Sequence, residues 1–276
     1  MKKYLLIIDP QNDFCKPDGA LSVVGADKDM ERLATFVEKQ SAELDDILVT
    51  LDCHLPLHIA HATMWEDIDG NPPTPFTLIT QADIISGKWR TKKQLMFNPP
   101  GQTERIPWAK YYTSKLEEDG KYTLCIWPEH CLIGSNGAAV YPKLFETLNN
   151  WQRERFAIVT YITKGENYLT ESYSALKAEV EDIFDPSTKL NTELISILED
   201  PEVSEVIIAG EALSHCVAST VTDLVNNLSK PENIQKFVLL EDCCSNVTGF
   251  ENLGDTFIKN MKDLGMKITT SVDYLK

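Results

Sequence analysis

The chain has 276 residues, enough for one large domain or two small ones, and its 43% hydrophobic and 25% charged content is ordinary for a globular protein. Forty-two acidic against 26 basic residues give a formal net charge of −16, which argues against nucleic acid backbones and anionic membranes as partners. No apolar run approaches the ~20 residues that span a bilayer. Seven cysteines, an odd number in a chain read as having no secretory leader, argue against a disulfide framework and for a reducing compartment, the cytoplasm.

In chain order, residues 4–9 form a short apolar run that reads as a buried strand. Residues 28–41 carry Met30, Leu33, Ala34 and Val37 on one helical face, and 47–51 read as a second strand. Residues 62–123 then break the pattern. They hold six of the fourteen prolines (72, 73, 75, 99, 100, 107) and three of the five tryptophans (65, 89, 108). This stretch reads as an insertion on one domain spanning 1–276, serving either as a surface or dimer contact or as a wall over substrate. Strands are expected again at 156–162, 204–209, 236–240 and, more weakly, 266–270. Helices are expected at 190–199, 214–229 and 253–264, the second capped by Ser214 and stopped by Pro231. Strand–helix alternation of this kind implies an α/β fold: a three-layer αβα, Rossmann-like arrangement around a mainly parallel sheet of about six strands.

Parallel α/β sheets gather functional groups outside the carboxyl ends of their strands. Asp9 follows the first strand, Asp52-Cys53-His54 the second, Lys164 the third, and Gly210-Glu211-Ala212-Leu213-Ser214-His215-Cys216 the fourth. Of five histidines, three fall at 54, 58 and 61, and a fourth is His130 in Trp127-Pro128-Glu129-His130-Cys131. Asp-x-His on an extended segment places both side chains on one side, a geometry suited to chelating a divalent ion, and His130 would add a third ligand. Cys216, near the start of a helix, is the candidate nucleophile, because a helix N-terminus stabilises a thiolate and a developing oxyanion. Cys15, Cys125, Cys243 and Cys244 read as packing, and the absence of a Cys-x-x-Cys pair argues against a thiol-redox role.

Five segments in order, Leu6–Phe14, Thr50–His54, Trp127–Cys131, Lys164-Gly165 and His215–Val217, resemble the isochorismatase-like cysteine hydrolases, and within them the nicotinamidase/pyrazinamidase group. The resemblance implies Asp9, Lys164 and Cys216 as the catalytic triad, and the Ala212 and Cys216 N–H groups as an oxyanion hole formed at a cis peptide. It implies Asp52, His54 and His130 as ligands of one divalent ion, Zn²⁺ with Fe²⁺ or Mn²⁺ as alternatives. His58 matches a fourth position that ligates in some members. Phe14, Trp127 and Tyr173 would wall the substrate ring. The activity implied is hydrolysis of nicotinamide through a thioester, with a related small carboxamide or ureido amide, or a non-catalytic metal-binding member of the fold, as the alternatives. The partners implied are a small-molecule amide substrate and a second copy of the chain in a homo-oligomer.

Overall fold

The computed structural model describes residues 1–92 and 108–276. Pro99, Pro100 and Pro107 of the insertion lie outside the described residues.

The elements run β1 (Lys2–Ile8), α1 (Asn12–Cys15), α2 (Ala26–Gln40), β2 (Asp46–Asp52), β3 (Trp65–Glu66), β4 (Leu78–Ile79), α3 (Gln81–Ser86), β5 (Arg90–Thr91), α4 (Trp108–Glu118) and β6 (Leu124–Cys125). They continue with α5 (Pro142–Arg155), β7 (Thr160–Lys164), α6 (Thr192–Leu198), β8 (Val203–Gly210), α7 (Ala218–Asn226), β9 (Phe237–Leu240), α8 (Glu251–Asp263), β10 (Lys267–Thr269) and α9 (Ser271–Tyr274). The main sheet has six strands in the order β10-β9-β8-β1-β2-β7, and every pairing in it is parallel. This is the expected α/β architecture.

β1 lies in the middle because its side chains from Leu5 to Ile8 are apolar and fully buried, as a strand covered on both faces requires. From β1 the chain winds one way through α2 and β2, and from β8 it winds the other way through α7 and β9. Right-handed crossovers therefore put these helices on opposite faces. The reversal between β1 and β8 opens a crevice at their carboxyl ends. Gly210 closes β8 at φ +123°, and a Cβ there would meet the Ile8 carbonyl oxygen at 2.1 Å, so only glycine lets β1 and β8 run this close.

Three expected boundaries move. The strand anticipated at 156–162 is β7 at Thr160–Lys164. Phe156 instead ends α5 in a left-handed conformation (φ 52°) with its ring 97% exposed, so its hydrophobicity marks no core position. The helix anticipated at 214–229 begins as a π-helical turn over Leu213–Val217, with Ala212 rather than Ser214 at the cap position, and continues as α7. Ser214 spends its hydroxyl elsewhere, accepting from Val247 N–H at 3.1 Å. Pro231 opens a separate 3₁₀ turn, and α7 has already ended at Asn226.

The insertion builds two small antiparallel ribbons, β3 with β5 and β4 with β6. Tyr122 from its end donates through its hydroxyl to the Ser214 carbonyl at 3.0 Å, and Trp108 Nε1 donates to the Leu169 carbonyl at 2.5 Å. All seven cysteines are free. Among the described residues no helix is long and apolar enough to cross a membrane.

Candidate active site

Four strand ends meet around one lysine. Lys164, at the end of β7 and 7% exposed, places its Nζ 2.9 Å from Asp9 Oδ2, 3.1 Å from Asp52 Oδ1 and 3.7 Å from Cys216 Sγ, and donates to the Ser172 carbonyl at 2.8 Å. Asp9 follows β1 directly, in a left-handed backbone conformation (φ 43°) that non-glycine residues rarely adopt. Thr50 holds it twice, accepting from Asp9 N–H at 3.0 Å and donating to Asp9 Oδ1 at 2.5 Å. The Asp9 carboxyl also acts on the Cys216 thiol, raising its proton affinity.

The electrostatics follow from dryness. Burial pushes the Cys216 thiol well above its usual value, and Lys164 only partly opposes this. Burial likewise raises Asp9 against the pull of Lys164. Burial alone would lower Lys164, but Asp52 and Asp9 outweigh it and hold the ammonium charged. The resting pair is thus a neutral thiol beside a carboxyl whose proton affinity has been raised, which is the relation a nucleophile and its base need.

One step from Lys164, Asp52 opens a histidine cage. Gln11 clamps its backbone from both sides, donating to the Asp52 carbonyl at 2.7 Å and accepting from its N–H at 2.6 Å. Two loops lace together to bring up the imidazoles: His54 N–H donates to the Cys131 carbonyl at 3.1 Å, Ile133 N–H to the His54 carbonyl at 3.0 Å, and Trp127 N–H to the Ala60 carbonyl at 2.7 Å. Asp13 secures the second loop by accepting from Cys131 N–H at 2.7 Å. His54 then lies 4.3 Å from His58, 4.8 Å from His130 and 5.4 Å from His61, ring centre to ring centre.

Ligand atoms of Asp52, His54 and His130 all fall within 4.8 Å of one another, as do those of His54, His58 and Glu171. His54 Nε2 is 2.9 Å from Asp52 Oδ2 but poorly directed, and the Nε2 atoms of His54, His58 and His61 are buried without hydrogen-bond partners. Burial pulls the His54 imidazole down, yet Asp52 and Glu171 outweigh it and hold it up at about 9, whereas burial and the neighbouring imidazoles lower His58 well below its usual value and hold His61 at about 3. The Nδ1 atoms of His54, His61 and His130 face carbonyls of Gly165 (3.1 Å), Leu55 (3.2 Å) and Pro128 (2.8 Å). Carbonyls only accept, so Nδ1 carries a hydrogen in each of these rings, and Nε2 is the nitrogen that would face a bound ion. His58 is reversed: its Nδ1 accepts from Ala60 N–H at 3.2 Å, which leaves the hydrogen on Nε2. A buried carboxylate and imidazole nitrogens clustered this closely, several of them without hydrogen-bond partners, fit a divalent ion of the Zn²⁺, Fe²⁺ or Mn²⁺ kind.

Between the cage and Cys216 lies a narrow cleft lined by Phe14, Leu21, Asp52, Trp127, His130, Glu171, Tyr173, Ala212, His215, Cys216 and Val247. Trp127 Nε1 donates to the Tyr173 hydroxyl at 3.0 Å. The Glu211–Ala212 peptide is cis, and the Ala212 N–H meets no acceptor among the described residues.

A family model described as the isochorismatase domain matches residues 173–273. The chain is 27% identical to the nicotinamidase of Escherichia coli K12 over 79% of this chain and 74% of the relative. Its fold is that of yeast nicotinamidase bound to the inhibitor nicotinaldehyde (TM-score 0.64, 18% identity, 97% and 99% of the two chains covered). It is equally that of a zinc-complexed pyrazinamidase of Pyrococcus horikoshii (TM-score 0.55, 20% identity, 98% and 99% covered). The chain adopts the isochorismatase-like fold.

Within this isochorismatase-like fold, all the residues singled out from the sequence converge. Lys164 touches both Asp9 and Cys216, Asp52, His54 and His130 form one group, and Phe14, Trp127 and Tyr173 face one cleft. Cys216 departs from expectation in its ionisation: the thiolate expected from a helix N-terminus gives way to a thiol, because complete burial outweighs a short π-helical turn. Thr50, Glu171 and the ring of His215 were not assigned site roles from the sequence. Glu171 has no motif of its own and reaches the cage through the irregular segment after β7, its N–H held by the Tyr112 hydroxyl at 3.2 Å. His215 could have been found by its adjacency to Cys216.

Proposed function

We propose that this protein is an amidohydrolase that cleaves nicotinamide to nicotinate and ammonia with Cys216 as nucleophile. The observation that carries this reading is Lys164, whose single ammonium touches Asp9, Asp52 and Cys216 and so joins a thiol and its base to the histidine cage. The sequence relatives named as nicotinamidases support the choice of substrate.

Asp9 takes the thiol proton as sulfur attacks the carboxamide carbon, and the carbonyl oxygen gains negative charge. The N–H groups of Ala212 and Cys216 receive that charge; losing one such donor typically costs about 3 kcal/mol. The C–N bond breaks as Asp9 returns the proton to nitrogen, releasing ammonia and leaving a thioester. Water then attacks the thioester, Asp9 accepts its proton, and that proton restores the thiol as nicotinate leaves. Lys164 stays charged throughout and offsets the negative charge passed between sulfur and Asp9.

Phe14, Trp127 and Tyr173 supply apolar walls for a flat ring. Asp52, His54 and His130 would hold a divalent ion, which supplies Lewis acidity and lowers the pKa of water. We assign His58 outside the ligand set, because its Nδ1 accepts from Ala60 N–H and its Nε2 therefore carries the hydrogen.

The test is ammonia release from nicotinamide, pyrazinamide and ureido amides, with and without chelator. The expected result is turnover of the two aromatic amides by the wild type and none by Cys216→Ala, with ring binding retained by the variant. Release confined to ureido substrates would assign the related amidase activity instead, and robust turnover by the variant would remove Cys216 as nucleophile.

A further inference from the structure

The residue ahead of Ala212 is an acid where the cleft has no use for one. Glu211 is fully buried behind the turn that carries Cys216. Its Oε2 accepts from Ser245 N–H at 3.0 Å, while its Oε1 is buried with no donor to satisfy it. Asp29 of α2, 2% exposed, stands beside it in hydrogen-bond contact. Asp29 is the anion of the two: Arg32 pairs with Oδ1, and the Ser245 hydroxyl donates to Oδ2 at 2.5 Å. Burial and the neighbouring Asp29 carboxylate keep the proton on Glu211, pushing its pKa well above the usual carboxylate range. With that proton on Glu211, its otherwise orphaned oxygen becomes a donor to Asp29.

Ser245 carries the effect forward. Its carbonyl accepts from Leu213 N–H at 2.8 Å, and two residues on, Val247 N–H donates to Ser214 Oγ at 3.1 Å. The 245–247 segment is therefore stitched to the 211–214 turn at three points, and the carboxyl pair ties that seam to α2.

We propose that neutral Glu211, hydrogen-bonded between Ser245 and the Asp29 carboxylate, is a positioning residue that holds the Ala212–Cys216 turn against Asp9 and Lys164, and that its ionisation loosens that hold. The groups facing it are Asp29 and Arg32 from α2, Cys15 from α1 and Cys244 from the turn after β9. Burial and Asp29 push its pKa well up and Arg32 opposes them, so the neutral form persists at working pH and the hold is lost on the alkaline side. The inference rests on the amidohydrolase reading above.

The experiment compares kcat and KM across pH for the wild type, Glu211→Gln and Glu211→Ala. An amide can donate to Asp29 and accept from Ser245, so Glu211→Gln should keep kcat at neutral pH and move the alkaline limb upward or flatten it. Glu211→Ala should lose kcat roughly 10- to 100-fold with KM little changed, the signature of misplaced reacting groups. Coincident alkaline limbs for the wild type and Glu211→Gln, or an undiminished kcat in Glu211→Ala, would overturn the proposal; if the alanine variant fails to fold, the first comparison decides alone. If the wild type releases no ammonia, it is the amidohydrolase reading that fails. The positioning role is then read from the pH dependence of Cys216 alkylation by iodoacetamide, followed by mass spectrometry of its peptide, where identical wild-type and Glu211→Gln profiles would overturn it.

Discussion

At the scale of single residues, the site depends on atoms that almost touch. Gly165 follows Lys164 with φ +78°, and a Cβ there would come 2.7 Å from Asp52 Oδ1 and 2.8 Å from His54 Cε1. Its carbonyl also fixes the His54 tautomer. Gly165→Ala should therefore cost about 1–3 kcal/mol of stability, through a strained backbone and a displaced carboxylate. It should also weaken retention of a divalent ion, read by denaturant unfolding together with elemental analysis of the purified protein. Unchanged metal content would mean that the cage tolerates the displacement. Asp52, His54 and His130 were legible in the sequence because Asp-x-His and Trp-x-x-His are short local signals. Glu171 was not, since its approach to His54 Nε2 (3.8 Å) is made by an irregular segment whose path no periodicity announces.

At the scale of elements, the strands and helices that repeat strongly were read well, and their ends were not. α2 and α8 begin and end within two residues of expectation because each buries one apolar stripe: Met30, Leu33, Ala34 and Val37 in the first, Phe257 and Met261 in the second. α5 went unnoticed; its buried face is Leu144, Thr147, Leu148 and Trp151, with polar residues dense between them. The insertion's part in the site became visible only in the structure, through Phe76, whose ring lies 5.7 Å from that of Trp127, and through Tyr122, whose ring lies 5.1 Å from that of His215 and whose hydroxyl steadies the nucleophile turn. Tyr122→Phe should cost about 0.5–1.5 kcal/mol, the usual net worth of one hydrogen bond. It should lower kcat more than it raises KM, because the ring that contacts His215 remains. Thermal unfolding and steady-state kinetics check both parts, and a pure KM effect would place Tyr122 in substrate binding instead.

At the scale of the whole molecule, the cage joins the loops after β2, β6 and β7, so an ion bound there would tie distant parts of the chain together. Binding to the folded state alone stabilises it by about 2.7 kcal/mol when the free ion is at 100 times its Kd. Chelator treatment should lower Tm and adding Zn²⁺ should restore it, followed by scanning calorimetry at fixed protein concentration. A Tm indifferent to both would show that the cage binds no ion tightly.

Composition, apolar periodicity and a handful of short motifs were enough to determine the α/β class, the strand ends that carry chemistry and the residue types found there, because these are local properties written residue by residue. The tertiary structure alone decided which of those groups touch. It decided that Cys216 rests as a thiol, that the Nδ1 of His58 accepts a hydrogen bond where that of His54 donates one, and that Glu211 shares its burial with Asp29. Proton affinity and tautomer are set by what a group loses in solvent and gains in neighbours, and those neighbours come from segments more than 200 residues away along the chain, as Asp29 and Ser245, 216 positions apart, illustrate.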